Sequence, residues 1–416
     1  MNLSVIFTFA SRVGIAVLNF VIAIIIAQTL GAEGKGEQGL ILTTMAFVIQ
    51  VMGIIGAGPI TYLFSRMHGI TLVFPSYLWA VIVGTGAYYI LPLFHSVPQA
   101  YYTHISVLSV LNAVFYIHIS LLYANEKIKL AALLQFFQVI LSIGYIVYYF
   151  YYKNIQSIQI YVESLFFGII PAYILALIYT NIGRISIHQI KTKYFYVSVK
   201  KMITLGFYNQ IDIIAQTVSL RLSYYILDMY NSRSDVGVYS IAVSVAESLW
   251  LIGRSISSVQ IVKVSKSRNT SEKTLITIQW FKLSLLLTTI CFFVLLLIPE
   301  NFYTFIFGKE FSQVKNLLIV LGIGICLFSG SFSLSALFAG TGNNKINAIA
   351  SLWGMGITIL LLYVTIPYWG VWGAAFTASI SYCTVTLVKI MYLHKKFEVS
   401  YRTFLEFSNL KSLIKL

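Results

Sequence analysis

Apolar runs, most of them just over 20 residues long, follow one another along almost the whole chain and are separated by short polar stretches. A helix of about 20 apolar residues crosses the roughly 30 Å hydrocarbon layer of a membrane. Long uninterrupted runs indicate helices, because strands of a membrane barrel are short and alternate in polarity. The pattern therefore predicts an all-α integral membrane protein with about twelve transmembrane helices. They lie near residues 5–30, 40–65, 70–93, 104–124, 130–152, 159–180, 203–230, 236–262, 274–298, 312–340, 345–367 and 370–394.

A polar, basic stretch near residues 181–201 divides these spans into two halves of about six. Glycine-rich patterns recur where spans two, eight and twelve begin, which indicates a weak internal repeat. The stretch 30–39 predicts a glycine-rich external loop that lets two helices reverse closely. The predicted organisation is an N-terminal lobe at 1–182, a basic cytoplasmic linker at 183–202, a C-terminal lobe at 203–394 and an amphipathic cytoplasmic tail at 395–416.

Composition agrees with a membrane protein, since 58% of residues are hydrophobic and only 10% are charged, against roughly 25% charged in soluble domains. The net charge of +15 does not indicate nucleic-acid binding. Most basic residues lie in the loops on one side, which is the positive-inside pattern and places both termini in the cytoplasm. The first run has no cleavage pattern and is expected to stay as an uncleaved span. Three isolated cysteines, with no CxxC and no clustered histidines, give no expectation of a metal, a disulfide or a cofactor.

Ionisable residues interrupt spans seven and eight. They are Asp212, Arg221 and Asp228 in the first of these, and Glu247 and Arg254 in the second. A charge at the bilayer centre costs roughly 2.5 to 3.5 kcal/mol, so such residues normally face a bundle interior or a watery cavity. We expect function in this region.

Span eight carries a stripe of small, hydroxyl and charged side chains within an arc of roughly 120°, at about 100° per residue. A stripe of this kind indicates either a tight helix seam or the wall of a polar cavity, and the two charged members favour the cavity. The stripe comprises Gly237, Ser240, Ser244, Glu247, Ser248, Leu251, Arg254, Ser255 and Ser258.

Span seven shows two polar faces, of which one carries Asp212 and the other Arg221 and Asp228. Arg221 and Asp228 are seven residues apart and are candidates for a structural ion pair. Lys282 and Lys389 lie near the inner ends of spans nine and twelve and are expected to reach the headgroups.

Arg12 and Asn19 share one face of the first span, which predicts an inward polar stripe; the alternative for Arg12 is snorkelling to the headgroups. Arg66 ends the second span at the cytoplasmic mouth, level with Arg12 and Arg254. The alternative for Arg66 is an ordinary positive flank.

Three stretches together resemble the polysaccharide (O-antigen) flippases of the multidrug, oligosaccharidyl-lipid and polysaccharide exporter (MOP) superfamily. They are SRVGIAVLNFVIAIIIAQTLGAEGKGEQG near residues 11–39, VGVYSIAVSVAESLWLIGRSISS at 236–258, and 307–345 followed by IPYWGVWGAAFTASISY at 366–382. The resemblance implies two six-helix lobes that form a V-shaped central cavity. It also implies translocation of a polyprenyl-pyrophosphate-linked oligosaccharide, an O-antigen or capsule repeat unit, from the inner to the outer leaflet of the bacterial cytoplasmic membrane by alternating access.

Within that function, arginine forks suit a pyrophosphate because they bind its oxygens in pairs. We therefore expect Arg12, Arg66 and Arg254, with Asn19 beside them, to capture the pyrophosphate near the inner mouth, and Arg221 to receive it farther out. The acids Asp212, Asp228 and Glu247 are expected either to couple transport to H⁺ or Na⁺ or to hold the arginines. Membrane lipids and other polysaccharide assembly proteins are the expected partners.

Three other functions remain open from the sequence. A drug exporter of the same superfamily is disfavoured, because the first lobe offers Arg12 rather than an acidic residue inside its spans. A peptidoglycan-precursor flippase handles a similar headgroup, and such proteins commonly have about fourteen spans. A membrane polymerase or ligase is disfavoured because no outer carboxylate pair or nucleophile and base set is evident, so no enzyme activity is expected.

Overall fold

The computed structural model describes residues 3–64, 67, 69–93, 96–180, 192–266 and 269–405. Regular structure in these residues is helical throughout, with fourteen α-helices and a few short 3₁₀ or π segments. The helices are α1 (Leu3–Met52), α2 (Ala57–Leu63), α3 (Gly69–Ile90), α4 (Tyr102–Ala124), α5 (Ile128–Val147), α6 (Ile158–Thr180), α7 (Thr192–Tyr230), α8 (Arg233–Ser248), α9 (Trp250–Lys266), α10 (Thr270–Leu297), α11 (Glu300–Phe307), α12 (Val314–Gly340), α13 (Asn344–Phe397) and α14 (Arg402–Leu405).

Nine segments in the described residues are long and apolar enough to cross a membrane. Two of them, in α1 and α13, are each interrupted by one non-helical residue and supply two spans apiece, which brings the number to eleven. The 39 residues of α7 extend about 58 Å at 1.5 Å per residue and supply a twelfth span. This helix is not among the nine apolar segments because its polar residues lower its hydropathy. The prediction of an all-α membrane protein with about twelve spans is confirmed.

The predicted loop at 30–39 is wrong. Gly31 is the one non-helical residue in this stretch, and the chain is helical on both sides of it. Gly31 has φ 68° and ψ −167°, a backbone conformation that glycine adopts without steric cost. Gly370 interrupts α13 in the same way with φ 51°, and a Cβ there would lie 2.9 Å from Asn231 Nδ2. A single glycine thus connects the two helical parts of α1 and of α13. A glycine-rich sequence does not distinguish such a one-residue junction from a longer turn.

Two compact units make up the chain, namely Met1–Gln210 and Ile211–Leu416. In the first unit α4 packs against α1, α2, α3 and α6, while α5 packs on α1 and α6. The lobe boundaries predicted from the sequence stay predictions. Residues 181–191 of the predicted linker and 406–416 of the predicted tail lie outside the described residues.

The second unit is arranged around α12, which contacts α8, α9, α10 and α13. Small residues let the backbones approach closely at these contacts, as is common where membrane helices pack. A Cβ on Gly253 of α9 would lie 2.4 Å from the Ser329 carbonyl oxygen and 2.7 Å from its hydroxyl oxygen. This seam fixes α9, and with it the face that carries Arg254.

Substituting Gly253 by alanine should lower the free energy of unfolding by about 1–3 kcal/mol, the usual cost of overpacking. Thermal unfolding of the purified protein in detergent measures this loss. Gly356→Ala in α13 is the matched control, since nothing lies within 4 Å of the point where its methyl group would stand, and alanine is favoured over glycine in a helix by up to about 1 kcal/mol. Equal losses in both variants would show that the seam is not the cause.

Candidate functional site

The second unit holds five of the eight predicted site residues. Asp212, Arg221 and Asp228 lie on α7, Glu247 on α8 and Arg254 on α9. The other three belong to the first unit. Arg12 and Asn19 lie on α1, where the Asn19 side chain is exposed and only the backbone of Arg12 is described, and Arg66 lies outside the described residues.

Arg221 is held by Glu247 rather than by Asp228. Arg221 Nη2 donates to Glu247 Oε2 at 2.8 Å, with 27% and 18% of the two side chains exposed. Asp228 instead pairs with Arg233 at 3.5 Å, where α8 begins. The predicted Arg221–Asp228 pair is therefore wrong, because spacing along one helix carries no information about charges on the next helix.

Buried tyrosines surround the Arg221–Glu247 pair. Arg221 Nη1 donates to the Tyr224 hydroxyl at 3.2 Å. The Tyr224 ring meets the Tyr239 ring edge-on, with 5.7 Å between centroids. The second Glu247 oxygen, Oε1, is buried and has no hydrogen-bond partner within the described part of the chain. Sequence reasoning missed these tyrosines, because the chain has 29 of them and none carries a distinguishing spacing.

Arg254 differs from Arg221 in its partners. Its side chain is exposed, and its guanidinium carbon lies 6.0 Å from the Trp250 ring centroid and 5.4 Å from that of Phe332. No carboxylate forms an ion pair with it among the described residues. A guanidinium carries five N–H donors in a planar fork, so Arg254 presents a cation with donors available, positioned by two aromatic rings.

The stripe through span eight divides into two parts. Gly237 and Ser240 are buried, while Ser248, Arg254 and Ser258 are exposed. The helix is also interrupted at Leu249, whose N–H bonds to the Ala246 carbonyl at 3.2 Å, three residues back. The helix seam therefore accounts for the Gly237 end of the stripe, while the polar cavity stays a prediction for its exposed end.

A second polar cluster lies between α7 and α13. Asp212 Oδ1 accepts hydrogen bonds from Ser351 Oγ at 2.5 Å and from Gln216 Nε2 at 2.9 Å. Neither of the two lysines expected to reach the headgroups does so, since Lys389 is 1% and Lys282 6% exposed. A residue's position along a helix does not reveal which side of the helix it occupies.

No protein-family model matches the chain. A curated relative from Staphylococcus aureus, the capsular polysaccharide biosynthesis protein CapF, is 25% identical over 178 residues. The match spans 41% of this chain and 44% of the relative, less than half the length of either protein.

Solved transporter structures match over nearly the full length. The lipid II flippase MurJ in an inward closed conformation gives a TM-score of 0.77 at 17% identity, covering 99% of this chain and 91% of that one. An inward-facing multidrug resistance MATE family transporter of the MOP superfamily gives 0.71 at 12% identity, covering 96% and 95%. At these identities the likeness establishes the fold. This chain is therefore a multi-pass membrane protein with the fold of the MOP superfamily, to which the polysaccharide flippases that its sequence resembles belong.

Proposed function

We propose that this protein is a flippase that moves a polyprenyl-pyrophosphate-linked oligosaccharide, the repeat unit of an O-antigen or a capsule, across the bacterial cytoplasmic membrane from the inner to the outer leaflet. Both termini lie in the cytoplasm, and the protein carries out no chemical step. The observation that carries the proposal is Arg254, an exposed guanidinium without a carboxylate partner in the described residues, on a stripe of hydroxyl side chains. A pyrophosphate carries two or more negative charges, and a guanidinium fork binds its oxygens in pairs.

The two arginines of the second unit have different roles in this proposal. Arg254 captures the pyrophosphate, and Arg12, Arg66 and Asn19 keep the capture role that the sequence predicts for them. Arg221 accepts it later, since its Nη2 is occupied by Glu247 and an incoming phosphate has to compete with that carboxylate. Glu247 and Asp212 then serve the coupling to H⁺ or Na⁺ or hold their partners in place, and Asp228 holds Arg233.

Two observations favour a glycan lipid over a cationic drug. The S. aureus relative is named for capsular polysaccharide biosynthesis and MurJ for lipid II. The acids of the second unit's site are also engaged already, Glu247 and Asp228 by arginines and Asp212 by Ser351 and Gln216. Two of these three carboxylates are thus neutralised by arginines, and only Asp212 has no cationic partner in an ion pair among the described residues, so a cationic drug would find little free negative charge there.

Mass spectrometry of lipid-linked glycans in a strain lacking this gene, with staining of the surface polysaccharide, tests the proposal. We expect a completed polyprenyl-pyrophosphate repeat unit to accumulate while the surface polymer disappears, because assembly continues and translocation stops. Accumulation of the peptidoglycan precursor would assign the protein to that lipid instead. Unchanged lipid-linked glycans would leave drug export as the better account.

A further inference from the structure

Lys389 is a buried cation that the proposed pyrophosphate site does not use. It lies on the second half of α13, and its Nζ donates to Ser335 Oγ of α12 at 2.7 Å. The Ser335 hydroxyl donates its own proton to the Ser331 carbonyl at 3.0 Å, so it offers Lys389 a lone pair. The Phe328 ring centroid lies 5.9 Å from Nζ. The amine is thus held in one position, between a hydroxyl and an aromatic ring.

Asp212 is a carboxylate on α7, the helix that contacts α13 through the Asp212–Ser351 hydrogen bond, and its charge acts on this amine through space. It does not form a direct ion pair with Lys389 in the described part of the chain. Its Oδ1 is occupied by Ser351, on the first half of α13, and by Gln216. The interactions described for Lys389 thus come from Ser335 and Phe328 of α12 and from Asp212 of α7, and Ser351 acts through Asp212.

A buried charge without a direct partner is costly, and proteins meet that cost by pairing the group or by letting it gain or lose a proton. Lysine is suited to the second course, since buried lysines change protonation readily whereas arginine stays charged. Asp212 contacts α13 through Ser351 and forms no ion pair with Lys389 among the described residues. This arrangement allows the amine to exist in both forms within one packed site.

We propose that Lys389 is the proton-carrying group of this transporter, with its amine binding and releasing the coupling proton while Asp212 supplies the counter-charge. The inference rests on the proposed transport function for its purpose, but the protonation change itself requires no cargo. A buried amine binds H⁺ and its ammonium form repels Na⁺, so this assignment makes H⁺ the coupling ion.

Solid-state NMR of the full-length protein in lipid bilayers, with lysine labelled at ¹³Cε and ¹⁵Nζ, tests the protonation directly. We expect one lysine signal to change from ammonium to amine between about pH 6 and 10, within the range over which perturbed lysines titrate, and to be missing from Lys389→Met or Lys389→Gln, whichever folds. Asp212→Asn should move its midpoint, because the carboxylate charge is removed. A Lys389 signal that stays in one form across this range would overturn the proposal, whatever the cargo proves to be.

Paired substitutions separate a proton carrier from a structural lysine. Lys389→Arg keeps a permanent charge and Lys389→Gln keeps a polar neutral group, and neither can bind and release a proton near neutral pH. Both should abolish surface polysaccharide in cells although the protein inserts normally. Lys395→Gln, at an exposed position on the same helix, should leave it unchanged. Activity in either Lys389 variant would contradict proton transfer at this residue.

Discussion

Replacing Arg254 by alanine should weaken binding of the lipid-linked oligosaccharide by roughly 10- to 150-fold, the equivalent of one charge-assisted hydrogen bond of about 1.5–3 kcal/mol. Arg254 is exposed, lies on the polar stripe and has no carboxylate partner in the described residues, so its removal should cost little stability. Surface polysaccharide in cells and binding of the extracted lipid-linked glycan to purified protein measure the effect.

The conservative substitution Arg254→Lys distinguishes charge from geometry. A lysine keeps the positive charge but loses the planar fork and its stacking on rings such as Trp250 and Phe332, so we expect binding between that of the wild type and that of the alanine variant. Arg402→Ala removes an exposed arginine from α14 and is the control for lost net charge. Full activity of Arg254→Ala at normal membrane levels would refute the capture role.

Glu247→Gln should destabilise the protein by about 3 kcal/mol, the lower end of the range for breaking a buried ion pair. The lower end applies because the two side chains remain 27% and 18% exposed. The loss arises from Arg221, which keeps its charge among the tyrosines after its counter-charge is removed. Thermal unfolding in detergent measures the change.

Two further variants make the ion-pair assignment specific. Arg221→Gln in the Glu247→Gln background should recover part of the lost stability, since no unpaired charge remains, and the double-mutant cycle gives the interaction energy. Asp228→Asn should change stability by no more than about 1 kcal/mol, as expected for a long, partly exposed pair; the Asp228–Arg233 distance is 3.5 Å and the Arg233 side chain is 32% exposed. A larger loss of stability in Asp228→Asn than in Glu247→Gln would show that the Asp228–Arg233 pair stabilises the protein more than the Arg221–Glu247 pair.

The helices were predictable because crossing a membrane imposes one length and one composition on every span. Even α7 was found from the sequence, although Asp212, Arg221 and Asp228 lower its hydropathy, because the apolar residues between them still extend over the length of a span. Glycine-rich segments were less informative. The same residues serve a ten-residue loop and the one-residue junction at Gly31.

The sequence did not show which side chains on neighbouring helices contact each other. A helical wheel placed Glu247 and Arg254 on one stripe, yet it had no means to show that Glu247 reaches across to Arg221 on α7. Lys389 was assigned to the headgroups from its depth alone, whereas a contact with Ser335 on α12 places it in the interior. Such pairings depend on how neighbouring helices rotate about their axes, and the pattern of a single helix does not encode that rotation.

The single-glycine junctions determine how the protein responds to insertions and deletions. A flexible loop absorbs one extra residue, whereas a one-residue junction passes the change on as a shift of about 1.5 Å and a turn of about 100°. Ser351 and Lys389 stand on opposite sides of Gly370 in α13, so an inserted residue anywhere between them alters the position of one relative to the other. The number of residues in this helix is therefore as important to the Asp212 cluster as the identity of the side chains in it.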